Sequence, residues 1–212
     1  MTGRRPMYRR LTFAMATAAV AVGPMACGYQ GLTLPAQTAI TLRGQGALTE
    51  PNPDSTAMTY NPELAPPGAR LAITMIPSGT STDVEFTVNG LQPNRGYAVH
   101  THENLCNENP EFAGGHYQNR VDPAASPTQP STNPEYANPN NEVWLDLRTD
   151  AAGSATSRVT VPFVFTDRGP GSVVIHEAEQ TATGPGQAGQ SGARIACLSL
   201  AADRPQDNTL LD

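Results

Sequence analysis

Between residues 39 and 200 the chain returns repeatedly to short runs rich in β-branched residues, with apolar and polar positions in partial alternation. They cover 39–45, 57–61, 70–76, 83–90, 96–102, 141–150, 155–165, 171–177 and 193–200. Alternation at period two belongs to strands, and no convincing amphipathic helix competes with it. Turn chemistry separates the runs, as in NGLQPNRG (89–96) and DAAG (150–153). DAAG between two alternating runs reads as a hairpin. A chain with 19 Gly and 20 Pro, and only 15% charged residues, suits a loop-rich β-protein. The predicted fold is all-β: a Greek-key β-sandwich or flattened barrel of about eight to nine antiparallel strands, immunoglobulin-like in architecture. The strand pattern fixes no oligomeric state.

Residues 1–26 fall outside this pattern. A basic start carrying Arg4, Arg5, Arg9 and Arg10 leads into a short alanine-rich apolar run, too short for a transmembrane helix. This is the form of an export signal. Its removal leaves 9 arginines against 19 acids, a net charge of −10. So acidic a surface argues against nucleic acid as a partner, because phosphate contacts need a basic face.

Cys27 in GPMACGY follows a small residue, as at a lipoprotein cleavage site, although Pro24 stands where Leu or Val is usual. Two readings stay open. Lipid on Cys27 would hold the domain at the outer face of a membrane, in the cell envelope. Cleavage nearby would release a soluble exported product. Residues 27–36 read as a tether, 37–202 as the domain, and 203–212 as a C-terminal tail. Three cysteines in an exported chain leave one unpaired; if Cys27 carries lipid, Cys106 and Cys197 remain, and an oxidising compartment favours their disulfide.

Histidine is scarce and clustered. The four are His100, His102, His116 and His176. His100 and His102 stand two apart on a predicted strand, so both point to one face. His116 follows two glycines, which permit sharp turns and close backbone approach. His176 ends the apolar run SVVIH. Long segments, 103–140 and 178–192, begin directly after His102 and shortly after His176; loops of this length in a compact domain are usually functional or disordered. Neutral imidazole is the commonest metal ligand, and four of them suit Cu(II).

The ordered set HTH (100–102), AGGHYQN (113–119), SVVIH (172–176) and GQSGARIAC (189–197) resembles the copper/zinc superoxide dismutase family, over roughly 37–200. That family shows H-x-H, then Cys, G-[GP]-H, V-V-H and G-x-x-G-x-R-x-x-C. The resemblance implies that His100, His102, His116 and His176 are ligands to one copper ion. It implies a disulfide between Cys106 and Cys197, and a superoxide-guiding role for Arg194 at the mouth of the copper channel. His116 would also carry a catalytic proton.

The sequence departs from the family where zinc would bind. Residues 117–145 contain no histidine, and the aspartate expected soon after His176 is missing from EAEQ. Asp122, Glu135, Glu142 and Asp146 remain, and carboxylates alone are a poor zinc set. The expected protein therefore holds copper without zinc, and Glu142, Asp146 or Glu111 would hydrogen-bond the second nitrogen of His116. The loop TATGPGQAGQSG (181–192) carries no charge, where the family's guiding loop is charged. The expected activity is copper-only superoxide dismutation, with superoxide as substrate. The alternative is an envelope module that buffers or delivers copper. Trp144 reads as packing, and Tyr136 as part of a polar loop.

Overall fold

The computed structural model describes residues 38–126 and 129–203. The segments predicted as export signal and tether, Cys27 among them, and the residues from 204 onward lie outside the described residues.

The described residues form β1 (Thr41–Ala47), β2 (Ala57–Thr59), β3 (Arg70–Ser78), β4 (Ser81–Asn89), β5 (Gly96–Tyr97), β6 (Val99–His102), β7 (Leu147–Arg148), β8 (Ala155–Val161), β9 (Ser172–His176), β10 (Arg194–Ser199) and β11 (Ala201–Asp203). Among the described residues a single 3-10 turn covers Pro110–Ala113. The fold is all-β and antiparallel, as the runs predict, with eleven strands in place of eight or nine.

One sheet has the order β11-β1-β3-β4-β8; the second has β2-β10-β9-β6; β5 and β7 form a short ribbon. β4 pairs with β8 although three strands intervene in sequence, the crossover that distinguishes a Greek key from a meander. β3 and β4 alternate cleanly. Leu71, Ile73, Met75, Val84, Phe86 and Val88 point into the core. On the open face Glu85 pairs with Arg158 at 2.6 Å and Asp83 accepts from Thr160 at 2.7 Å.

The second sheet is buried on both faces. β6 and β9 are buried at every residue. Val99, Val173 and Ile175 face the main core, while Val174 packs with Cys197 and Ala113 in a smaller cluster on the other side. That other side carries the histidines, and the long loops cover it.

Departures from the sequence reading follow from nonlocal pairing. The DAAG turn forms, with Asp150 Oδ1 accepting from the N–H groups of Ala152 and Ser154. It does not make a hairpin: β7 pairs with β5 and β8 with β4. The run 155–165 leaves the ladder at Val161, before Pro162, which has no N–H to donate. Only Leu147–Arg148 of 141–150 is regular strand. The rest lies beside β6, with Leu145 N–H bonded to Val99 O at 2.8 Å.

Cys106 and Cys197 form a disulfide across 91 residues of sequence. It ties the start of the 103–140 loop to the middle of β10. Closing so long a loop restrains the unfolded chain by about 4.6 kcal/mol in the chain-entropy account. The double variant C106S/C197S is expected to lose stability of that order in denaturant unfolding. An unchanged midpoint would refute the assigned role.

Candidate metal centre

Strand geometry places the first three rings. His100 and His102 share the outer face of β6, and β6 pairs with β9 so that His100 faces Val174. His176 lies two residues beyond Val174 and joins the same face. The fourth ring comes from a turn. After the 3-10 segment, Gly114 adopts φ 77°, a conformation that favours glycine, and the chain reverses. Residues 115–117 then run beside β6: Glu103 N–H bonds Gly115 O, Tyr117 N–H bonds Thr101 O, and His116 bridges to His102. One ligating nitrogen from each ring lies within 4.8 Å of the others.

Each ring has one nitrogen held by protein and one directed inward. His102 Nδ1 lies 3.0 Å from Gly114 O, and His176 Nδ1 lies 3.3 Å from Gly192 O. A carbonyl only accepts, so both Nδ1 atoms carry the proton and both Nε2 atoms present lone pairs. Those two Nε2 atoms face each other at 3.1 Å. Two acceptors at that distance repel unless a cation lies between them. Nitrogens bound about 2 Å from one ion, at roughly right angles, are about 3 Å apart. His116 Nδ1 is 2.8 Å from Glu142 Oε2, which leaves its Nε2 free. His100 is reversed: Nε2 lies 2.6 Å from Thr181 Oγ1, and Nδ1 is buried with no hydrogen-bond partner. An orphaned buried nitrogen beside three inward lone pairs fits a metal ion.

Burial keeps three of these rings, His100, His102 and His176, in the neutral form. His100 and His102 are held well below the usual histidine range, first by burial and then by the neighbouring rings. Burial, followed by His116, brings His176 down to about 3. Neutral imidazoles are the form that ligates.

Of the three carboxylates weighed for His116, the structure selects Glu142. It is 1% exposed and takes further hydrogen bonds from Trp144 Nε1 at 2.7 Å and Gln118 Nε2 at 2.8 Å. Trp144 is thus a donor to this carboxylate besides packing edge-on to His100. Asp146 sits beside Thr181 and Val99, and Glu111 lies 3.8 Å from Arg194. The other two carboxylates weighed as zinc donors are also engaged: Asp122 with Ser131, and Glu135 with Arg120. Tyr136 stacks under Arg120.

Arg194 opens β10 at a bulge, opposite His176. Its guanidinium donates to Pro110 O at 2.7 Å and Gly114 O at 2.6 Å, and the side chain is 12% exposed. It lines a cavity of about 600 Å³ together with His102, His116 and His176. Gly114 O therefore accepts from both His102 and Arg194. The sequence reading missed this carbonyl and Thr181. A backbone oxygen leaves no residue signature, and a hydroxyl in an uncharged loop leaves a weak one.

Residues 68–199 match the sequence model of the copper/zinc superoxide dismutase (SODC) family. No curated protein matches the chain.

Two outcomes are expected from this geometry. Gly114→Ala would strain a φ of 77° and bring its Cβ to 2.8 Å from Asn104 Nδ2. A loss of about 1–3 kcal/mol in thermal unfolding is expected; wild-type stability would show that the turn tolerates a side chain. The second concerns pH. In the metal-free protein three rings resist protonation, whereas in the unfolded chain they titrate near their ordinary value. The unfolded state then binds more protons below about pH 6.5, so stability falls as pH drops through that value, with His176 contributing down to about 3. A denaturation midpoint flat between pH 7 and 4 would contradict it.

Proposed function

The chain belongs to the copper/zinc superoxide dismutase family, and from that premise we propose that it is a superoxide dismutase working with a single copper ion and no zinc. The observation that carries the proposal is the set of four imidazoles, each with one nitrogen engaged by protein and one turned inward, beside a fixed guanidinium. His100, through Nδ1, and His102, His116 and His176, through Nε2, would hold the ion. Copper bound there would supply one-electron redox chemistry, by which two superoxide ions and two protons become O2 and H2O2.

The chain's own residues do the rest. Arg194 is held by two carbonyls and stays at the cavity wall, where its positive charge draws and orients a small anion. With the 181–192 loop uncharged and the whole chain acidic, guidance rests on this one side chain. His116 is the ring among the four that is only partly buried. It is therefore the one placed to carry a proton at Nε2, taken from the cavity and returned to it, whenever that nitrogen is not serving as a ligand. Glu142 braces the ring meanwhile by holding the proton on Nδ1. A buried carboxylate with three donors fixes the ring orientation that zinc would fix elsewhere in the family.

Copper without zinc is supported by ligand counting. All four histidines are committed to one cluster, and Asp122, Glu135, Glu142 and Asp146 have other partners. The arginine-rich apolar start and Cys27 support export and lipid attachment at the envelope.

The expected result for the mature domain is one copper, no zinc, and dismutase activity removed by chelation. Arg194→Ala is expected to keep its copper and lose roughly ten- to hundredfold in kcat/KM, with Arg194→Lys intermediate. Bound copper without activity in the wild type would make the chain a copper-buffering module. Full activity in Arg194→Ala would remove the guiding role.

A further inference from the structure

His100 is the ring that presents Nδ1 while the other three present Nε2, and something must hold it in the opposite tautomer. Its Nε2 meets Thr181 Oγ1 at 2.6 Å. The same hydroxyl lies 2.7 Å from Asp146 Oδ1. Asp146 itself is 4.0 Å from His100 Nε2, too far for a direct hydrogen bond.

Proton counting settles the direction. A threonine hydroxyl has one proton, and an ionised carboxylate can only accept. The Thr181 proton therefore goes to Asp146, and its oxygen accepts from His100 Nε2–H. His100 Nδ1 is then left as a bare lone pair, which is the buried atom without a partner. Asp146 is fixed in turn: Oδ2 accepts from the Thr181 N–H at 2.8 Å, and Oδ1 also accepts from the Val99 N–H at 3.1 Å. Val99 is the first residue of β6, next to His100. The carboxylate thus clamps Thr181 at two points and ties the 178–192 loop to the strand that carries the ligand.

We propose that Thr181 and Asp146 together are the positioning pair for His100, a two-residue relay that sets its tautomer and makes closure of the 178–192 loop part of the metal site. The proposal rests on the copper reading of the four-histidine cluster. From residue 181 to 192 the loop has no charge with which to guide an anion, and the relay gives it a different task. It brings one hydroxyl to one ring nitrogen. The hydrogen bonds Ala178 N–H to Ser191 O, Ala182 N–H to Gln190 O and Gly189 N–H to Ala182 O hold the loop in the shape that does so.

The test is Cu(II) titration of the mature domain against a competing chelator, with the EPR spectrum of the loaded protein. Thr181→Val keeps the shape and removes the hydroxyl; Thr181→Ser keeps the hydroxyl. The valine variant is expected to bind Cu(II) ten- to hundredfold more weakly and to show an altered nitrogen hyperfine pattern, with serine restoring both. Metal-free unfolding of the two variants provides the control. A valine variant with wild-type affinity and spectrum overturns the relay alone. So does one whose metal-free stability falls while its spectrum is unchanged, since that is a structural hydroxyl. A wild-type domain that takes up no Cu(II) overturns the dismutase reading and the relay with it.

Discussion

Two histidines two residues apart on β6 must share a face, and burying that face is the constraint around which the site is built. An imidazole removed from water needs a partner for each nitrogen or an ion in place of one. The outer face of the second sheet carries three such rings in a dry environment. The long loops that cover it supply Gly114 O, Gly192 O, Thr181 Oγ1 and Glu142. The loops are therefore as much a part of the site as the strands. They decide which nitrogen of each ring is protonated, and so which lone pair is left.

The electrostatics follow from the same burial. Three rings are kept neutral because protonating any of them would place a charge in a dry pocket next to other rings. The carboxylate at Glu142 is tolerated there because three donors surround it. Arg194 is the counterpart at the cavity wall. Two backbone carbonyls satisfy it, and its side chain stays largely out of solvent. A cation held in this way keeps its charge directed into the cavity.

Much of this was legible in the residues. Period-two spacing put His100 and His102 on one face, and the apolar runs gave the strands that place them and His176. Ordered motifs joined Cys106 to Cys197. What could not be read depended on contacts between distant segments. Glu142, Asp146 and Glu111 were equivalent as residue types beside His116. The choice depended on how 118–142 folds back, which Gln118 and Asn141 fix through their side chains. Thr181 gave only a weak signal because an aspartate was the residue to look for after His176. The relay reaches its carboxylate from 35 residues earlier in the chain. DAAG failed as a hairpin signal for the same reason: turn chemistry is local, and the choice of sheet partner is not.

Gly114 O serves two groups at once, the ring of His102 and the guanidinium of Arg194. Both depend on a loop held at one end by Cys106 and turned at the other by a glycine. A change in that loop moves the His102 ring and the Arg194 guanidinium together. Under the proposed function, retention of the ion and recruitment of its substrate would hang on the same peptide oxygen. A substitution between residues 106 and 114 that shifts this one carbonyl would disturb both contacts at once.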